Sequence, residues 1–236
     1  HLNHFYIRTC NYYILNKLMQ IHCGFFSGGI ARIPFLSTLL GSQVQRLHPW
    51  HRAHVQAIAG WGLRPNSHKA VAYADRYGLP YIALEDGFLR SFGIGQHFPP
   101  LSMVVDDAGI YYDCTRPSAL EFLLAGDADV LQPSAQAVRQ IRIQFLKSAL
   151  SKYNHAPDAP PEMLRPDDVQ RVLVVDQTAG DMSVALGGAD GQTFEAMLAA
   201  ALAENPQATV YVKTHPEVSS GRKGGYLTGV QPDART

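Results

Sequence analysis

Cysteine is scarce in this chain of 236 residues: Cys10, Cys23 and Cys114 are scattered, odd in number and free of any Cys-x-x-Cys spacing. That excludes a disulfide framework and points to reduced thiols in a cytoplasm. Charge of one sign is lacking as well. Lys plus Arg and Asp plus Glu both number 20, so the net charge is zero and neither a nucleic-acid face nor a polybasic membrane patch is indicated. No run reaches the roughly 20 apolar residues needed to cross a bilayer. Segment 1–18 is aromatic but interrupted by Arg8, Asn11, Asn16 and Lys17, and it has neither the basic start nor the cleavage site of a secretory signal.

Short catalytic signatures are missing too. There is no P-loop lysine, no G-x-S-x-G and no H-E-x-x-H; Gly93-x-Gly95 lacks a third glycine, and Ser27-Gly28-Gly29-Ile30 is not a phosphate loop. NTPase, hydrolase and NAD-enzyme chemistry are set aside on that ground. Only His48, His51 and His54 cluster among the histidines. With Pro49 between them and no Cys or adjacent carboxylate, they read as a solvated loop without metal.

What remains is a globular composition with 46% hydrophobic residues, enough to build a core. From Gln20 onward strands and helices alternate. Ile21–Phe26, Gln56–Trp61 and Tyr81–Leu84 read as strands, with helices over Ile30–Leu40 and Ser67–Tyr77, the second stopped by Gly78. Leu101–Val105 reads as a strand with Gly109–Tyr112 as its hairpin partner, and helices follow over Pro117–Leu124 and Ser134–Lys152. His155–Asp168 carries four prolines and reads as a linker. Beyond it, Val172–Val175 has the β-branched character of a strand buried on both faces. Gln192–Glu204 is an amphipathic helix with Phe194, Met197, Leu198, Ala201 and Leu202 on one face, and Thr209–Lys213 is the next strand. Right-handed crossover makes those two strands parallel. The fold class is therefore α/β, in two layers joined by a proline-rich hinge.

Ligands of open parallel sheets bind outside the carboxyl ends of the strands. Three polar sets fall there: Glu85-Asp86-Gly87-Phe88-Leu89-Arg90, then Asp176-Gln177-Thr178-Ala179-Gly180-Asp181, then Lys213-Thr214-His215-Pro216. For each carboxylate, helix capping and chemistry stand as alternatives, and His215 before Pro216 also suits a plain turn. Together they suggest a site in which Glu85 and Asp181, from opposite layers, meet across a cleft. Asp106, Asp107 and Asp113 read as turn chemistry.

The segments FFSGGIARIPFLSTLLG (25–41), WGLRPNSHKA (61–70), LPYIALEDGFLRSFGIG (79–95), PPLSMVVDDAGIYYDCTRPSALE (99–121), LSKYN (150–154), VLVVDQTAGDMSVALGG (172–188) and YVKTHPEVSSGRKGGYLT (211–228) resemble the capsule polysaccharide β-Kdo transferases of KpsC/LipA type. The DQT-x-x-D-M-S-V form is similar to the amino-terminal of that family's two tandem modules. The resemblance implies two Rossmann-like domains of a GT-B-type glycosyltransferase, the second incomplete. It divides the chain into a non-family extension over 1–18, an acceptor-side domain over 19–154, the linker 155–168, and the start of a donor domain over 169–236. It further implies retaining transfer of Kdo from CMP-Kdo to a lipid-linked Kdo acceptor, in the cytoplasm or peripheral to the inner membrane, beside a capsule export assembly and without nucleic acid.

In that scheme Asp181 is the nucleophile and Glu85 the acid/base. His215, Lys213, Gln177 and Arg90 bind the nucleotide sugar, Arg90 having a structural salt bridge as its other reading. No metal or other cofactor is expected. The alternative is a truncated remnant of such a transferase without catalysis of its own, since both ends of the chain look unnatural; a sugar-phosphate isomerase or epimerase survives only if the motif series is chance.

Overall fold

A computed structural model describes residues 21–48, 50, 54–91, 98–127, 129, 131–152, 160–164 and 169–231. The expectations placed on segment 1–18, on Cys10, His51, Gly93 and Gly95, on most of the linker and on 232–236 lie outside the described residues. The described chain divides into two compact units. One holds residues 21–111 and 116–152, and the other 112–115 and 160–231.

The first unit is built on a five-stranded sheet. Its strands are β1 (His22–Phe25), β2 (Gln43–Arg46), β3 (Ala57–Trp61), β4 (Tyr81–Asp86) and β5 (Met103–Asp106), in the order β2-β1-β3-β4-β5. All neighbours pair in parallel except β4 and β5, which are antiparallel. The period of two along each strand sends alternate side chains to opposite faces. Ala57 and Ala59 join Cys23, Phe25, Ile82 and Leu84 in one buried cluster, while Ile58 packs on the other face with Ala70, Tyr73 and Ala74 of helix α3 (His68–Tyr77). Gly78, at φ 61°, ends that helix in the left-handed conformation, as the sequence indicates.

Three expectations are corrected here, and one strand is added. The helix expected over Ile30–Leu40 is two short pieces, α1 (Gly28–Ala31) and α2 (Leu36–Leu40). Pro34 has no N–H to give and disfavours helical angles at the residue before it, and Phe35 follows at φ 57°. Strand β2 was not foreseen, because it is an exposed edge strand in which only Val44 is half-buried. The partner of β5 is β4 and not 109–112. Asp106, buried at the end of β5, accepts from Ala108 N at 2.9 Å, Gly109 N at 2.8 Å and Ala119 N at 3.1 Å, and so turns the chain away from a hairpin and towards α4 (Ala119–Ala125). Finally, the helix expected to run to Lys152 ends earlier, as α5 (Ala135–Lys147). Ala149 sits at φ 48° and Leu150 N donates to Phe145 O at 3.0 Å, a Schellman closure formed without the usual glycine.

The second unit is a βαβ unit with additions. Strand β6 (Arg171–Val175) pairs in parallel with β7 (Thr209–Lys213), and α7 (Gly191–Glu204) connects them after the short α6 (Met182–Leu186). Val174, Val184, Phe194, Val210 and Leu227 form its core, with Leu198, Ala201 and Leu202 packed against it. Two details differ from expectation. The strand β6 is covered on one face only, Leu173 being 61% and Val175 46% exposed, and Met197 at 38% lies outside the core that its helix neighbours join. A single helix covers a single face of a two-stranded sheet. Among the described residues no helix is long and apolar enough to cross a membrane.

Candidate functional site

Because β1, β3 and β4 run in parallel, the segments leaving them share one edge of the first unit. Strand β4 runs two residues farther than the sequence suggests, since Glu85 and Asp86 pair with Val104 and Met103 of β5. Glu85 is thus held inside the sheet and is buried. Its Oε1 accepts from Trp61 Nε1 at 3.0 Å and from Asp86 N at 3.1 Å, with Arg64 Nη2 at 3.7 Å. Burial outweighs these contacts and raises the glutamate above its ordinary value of 4.5. A carboxyl of that kind is suited to taking up and returning a proton.

Arg90 stands on the same edge. Its Nε donates to Asp86 Oδ1 at 2.7 Å, and its Nη1 to Ser91 Oγ at 3.2 Å and to the Phe98 carbonyl. The guanidinium thus ties the segment after β4 to the chain that returns at Phe98.

In the second unit the parallel pairing of β6 with β7 brings the Asp176–Asp181 and Lys213–His215 sets to one edge, and Asp176 N donates to Lys213 O at 2.9 Å. Asp181 is exposed and caps α6, accepting from Ser183 N at 2.9 Å. Lys213 is exposed, and Gln177 and His215 are half-buried. His215 caps the short helix α8 (Pro216–Ser219), its Nδ1 accepting from Glu217 N at 3.2 Å. In the neutral ring the proton therefore sits on Nε2, leaving that atom as the donor. Lys223 bonds Glu217 at 2.7 Å and holds its carboxyl below the usual range.

The turn carrying Asp181 is fastened to a distant segment. Asp176 is 1% exposed, and its Oδ1 accepts from Gln177 N at 2.8 Å and Tyr226 N at 3.0 Å. Ala179 N donates to Gly224 O at 2.8 Å, Thr178 bridges Gly225, and Asp181 N donates to Thr178 O at 3.2 Å. The clamp requires a glycine: a Cβ on Gly225 would lie 2.3 Å from Asp176 Oδ2. Tyr226 is itself stacked on Phe194 of α7 with centroids 4.6 Å apart. Asp176 thus joins the turn to the unit's core.

The structure therefore brings Glu85 and Arg90 to one edge of the first unit, and Gln177, Asp181, Lys213 and His215 to one edge of the second. Trp61, Arg64 and Tyr226 are the additions. Trp61 ends an apolar strand and Arg64 stands three residues beyond it, close to the strand-end signal that marked the other sets, and no role was read into them. Asp106 and Asp113 serve turns, Asp113 Oδ1 accepting from Thr115 N at 3.0 Å. Burial pushes the Cys23 thiol up to about 12, which makes it an inert core group. Among the described residues no three His, Cys, Asp or Glu side chains gather as metal ligands.

The chain resembles known proteins over most of its length. The family model for capsule polysaccharide biosynthesis proteins matches residues 56–158 and 140–234. The capsule polysaccharide modification protein LipA of Neisseria meningitidis serogroup A / serotype 4A is 52% identical over 207 residues, which cover 86% of this chain and 29% of that protein. The chain thus spans about three tenths of that relative's length. Among solved structures, the β-Kdo 2,4 transferase of Thermosulfurimonas dismutans KpsC matches with a TM-score of 0.79 at 45% identity, covering 90% of this chain and 66% of that one. The β-Kdo 2,7 transferase of the same protein matches with a TM-score of 0.51 at 25% identity, covering 88% and 64%.

Proposed function

The chain belongs to the capsule polysaccharide biosynthesis protein family, and from that premise we propose that it is the greater part of a retaining Kdo transferase module, taking Kdo from CMP-Kdo to a lipid-linked Kdo acceptor. Its two α/β units are then the halves of a GT-B-type enzyme, with the first serving the acceptor and the second the donor. The greater likeness to the 2,4 transferase than to the 2,7 transferase favours a β-2,4 linkage. A lipid acceptor puts the work at the inner face of the inner membrane, next to the export assembly.

The observation that carries this reading is the contrast between two carboxyl groups at strand ends. Asp181 is exposed on a braced turn, while Glu85 is buried and raised above its ordinary value. In the first step a carboxylate oxygen of Asp181 attacks the anomeric carbon of Kdo. The bond from that carbon to the phosphate oxygen breaks, and CMP leaves with the electron pair. In the second, the acceptor hydroxyl attacks the same carbon from the opposite face, its proton passes to Glu85, and Asp181 is released. Two inversions retain configuration.

Lys213 and the Nε2–H of His215 meet the phosphate charge without a metal, and Gln177 contributes a polar contact to the donor. Arg90 acts at one remove, by holding Asp86 and the Phe98 carbonyl.

The test is intact-protein mass spectrometry after incubation with CMP-Kdo in the absence of acceptor. A covalent Kdo adduct on Asp181, mapped by peptide digestion, is the expected result. Absence of both adduct and CMP release, from this chain and from a full-length relative treated in parallel, would sink the proposal.

A further inference from the structure

The sheet of the first unit reverses its winding between β1 and β3. From β1 the chain steps to β2 on one side, then returns to β3 on the other side and continues to β4. The segments that leave the carboxyl ends of β1 and β3 therefore diverge, and the crevice they open is where open α/β sheets take their ligands. None of the candidate site residues read from the sequence lines it.

The crevice has a defined wall. Phe26 and Ser27 line it from β1, Gly60 and Trp61 from β3, and Asn66 and Ser67 from the turn before α3. Ser27 Oγ accepts from Gly29 N at 3.1 Å and Ile30 N at 3.4 Å, which leaves its own proton for a ligand. Ser67 Oγ donates to Trp61 O at 2.8 Å and so fixes the turn against the strand. The hollow holds about 20 Å³, room for one hydroxyl group and not for a sugar ring.

Its rim is cationic. Arg46 ends β2 and reaches over the segment after β1, since a Cβ on Gly28 would be 3.6 Å from its Nη2. Arg64 follows β3 and stands 3.7 Å from Glu85. None of the lining residues is acidic. Trp61 links the two places: its ring lines the hollow while its indole N–H bonds Glu85.

We infer that the crevice between β1 and β3 is a binding site for a sugar acid: the carboxylate lies against Arg46 and Arg64, the ring lies over Trp61, and one hydroxyl enters the hollow beside Ser27 and Asn66. This rests on the transferase reading and deepens it, for it assigns the acceptor's terminal sugar a place next to the group that receives its proton.

Titration of the isotope-labelled chain with the methyl glycoside of Kdo, followed by backbone NMR, tests the inference. Saturating shifts are expected at Gly28, at Gly60 to Asn66 and at Glu85. The carboxyl-reduced glycoside should bind about tenfold more weakly, as should Arg64→Gln and Arg46→Gln with the acid form, each losing one charge-assisted contact. The arginines are exposed, so an unchanged melting temperature will show that both variants are folded.

Equal binding of acid and reduced glycosides, no binding, full affinity in the arginine variants, or shifts confined to other parts of the first unit would overturn it. A sialic acid glycoside separates this inference from the Kdo reading. If it binds at these residues while the Kdo glycoside does not, the crevice stands and the Kdo assignment falls. Turnover of CMP-Kdo with no acceptor shift in the crevice discards the crevice alone.

Discussion

Trp61 and Glu85, separated by 24 residues, are joined by an indole N–H to carboxylate hydrogen bond of 3.0 Å at the carboxyl ends of adjacent parallel strands. The bond restrains the glutamate and opposes the upward push of burial on its carboxyl.

Trp61→Phe removes that donor and also reduces the ring that lines the neighbouring hollow. Glu85 should then hold its proton more tightly, and the acidic limb of the pH profile for transfer should move to higher pH. About 1 kcal/mol of stability should be lost with the hydrogen bond. A profile with an unmoved limb would show that the bond does not govern the proton.

Glu85→Gln tests the burial itself through pH-dependent melting. The folded-state value is raised above the ordinary 4.5, so the glutamate's stabilisation is complete below that value and is lost as pH rises through the folded one. The glutamine variant does not titrate there. Its melting temperature should gain on wild type as pH climbs through this window, and a constant difference would contradict the raised value.

Asp181→Asn keeps an N-cap acceptor and so should change stability little, because Asn and Asp cap about equally well. On the proposed mechanism, transfer should fall by more than about 10³-fold while CMP-Kdo still binds, a pattern read from calorimetry beside turnover. Full activity would remove Asp181 from the mechanism.

Gly225→Ala puts a Cβ 2.3 Å from Asp176 Oδ2. The clamp between Asp176 and Tyr226 must give, at about 1–3 kcal/mol as for other overpacked sites. Hydrogen exchange should speed up at Ala179, Asp181 and Tyr226 and stay slow in α7. Uniform acceleration through α7 would mean that the clamp is not a local brace.

Much of the chain was legible before folding was considered. Period and punctuation marked β1, β3, β4, β6, β7, α3 and α7 because each buries a face of its own, and the parallel pairing of β6 with β7 followed from crossover geometry. The motif series pointed to the family that the family model matches. Hidden elements were those whose cause lies elsewhere in the chain. Strand β2 is polar and exists because β1 has a free edge, and β5 pairs with β4 because Asp106 draws the following residues to the start of α4.

By itself the sequence determined which residue types stand where strands end, and hence the candidate set of Glu85, Arg90, Gln177, Asp181, Lys213 and His215. Backbone periodicity and local turn chemistry act over a few residues, so they can be read in one dimension. Only the tertiary structure decided what surrounds each of them: that Glu85 is buried under Trp61 and Arg64, that Arg90 is occupied by Asp86, and that the turn of Asp181 is braced from Tyr226 fifty residues on from Asp176. Burial and cross-strand hydrogen bonding are properties of neighbours in space, and the order of strands in the sheet sets who those neighbours are.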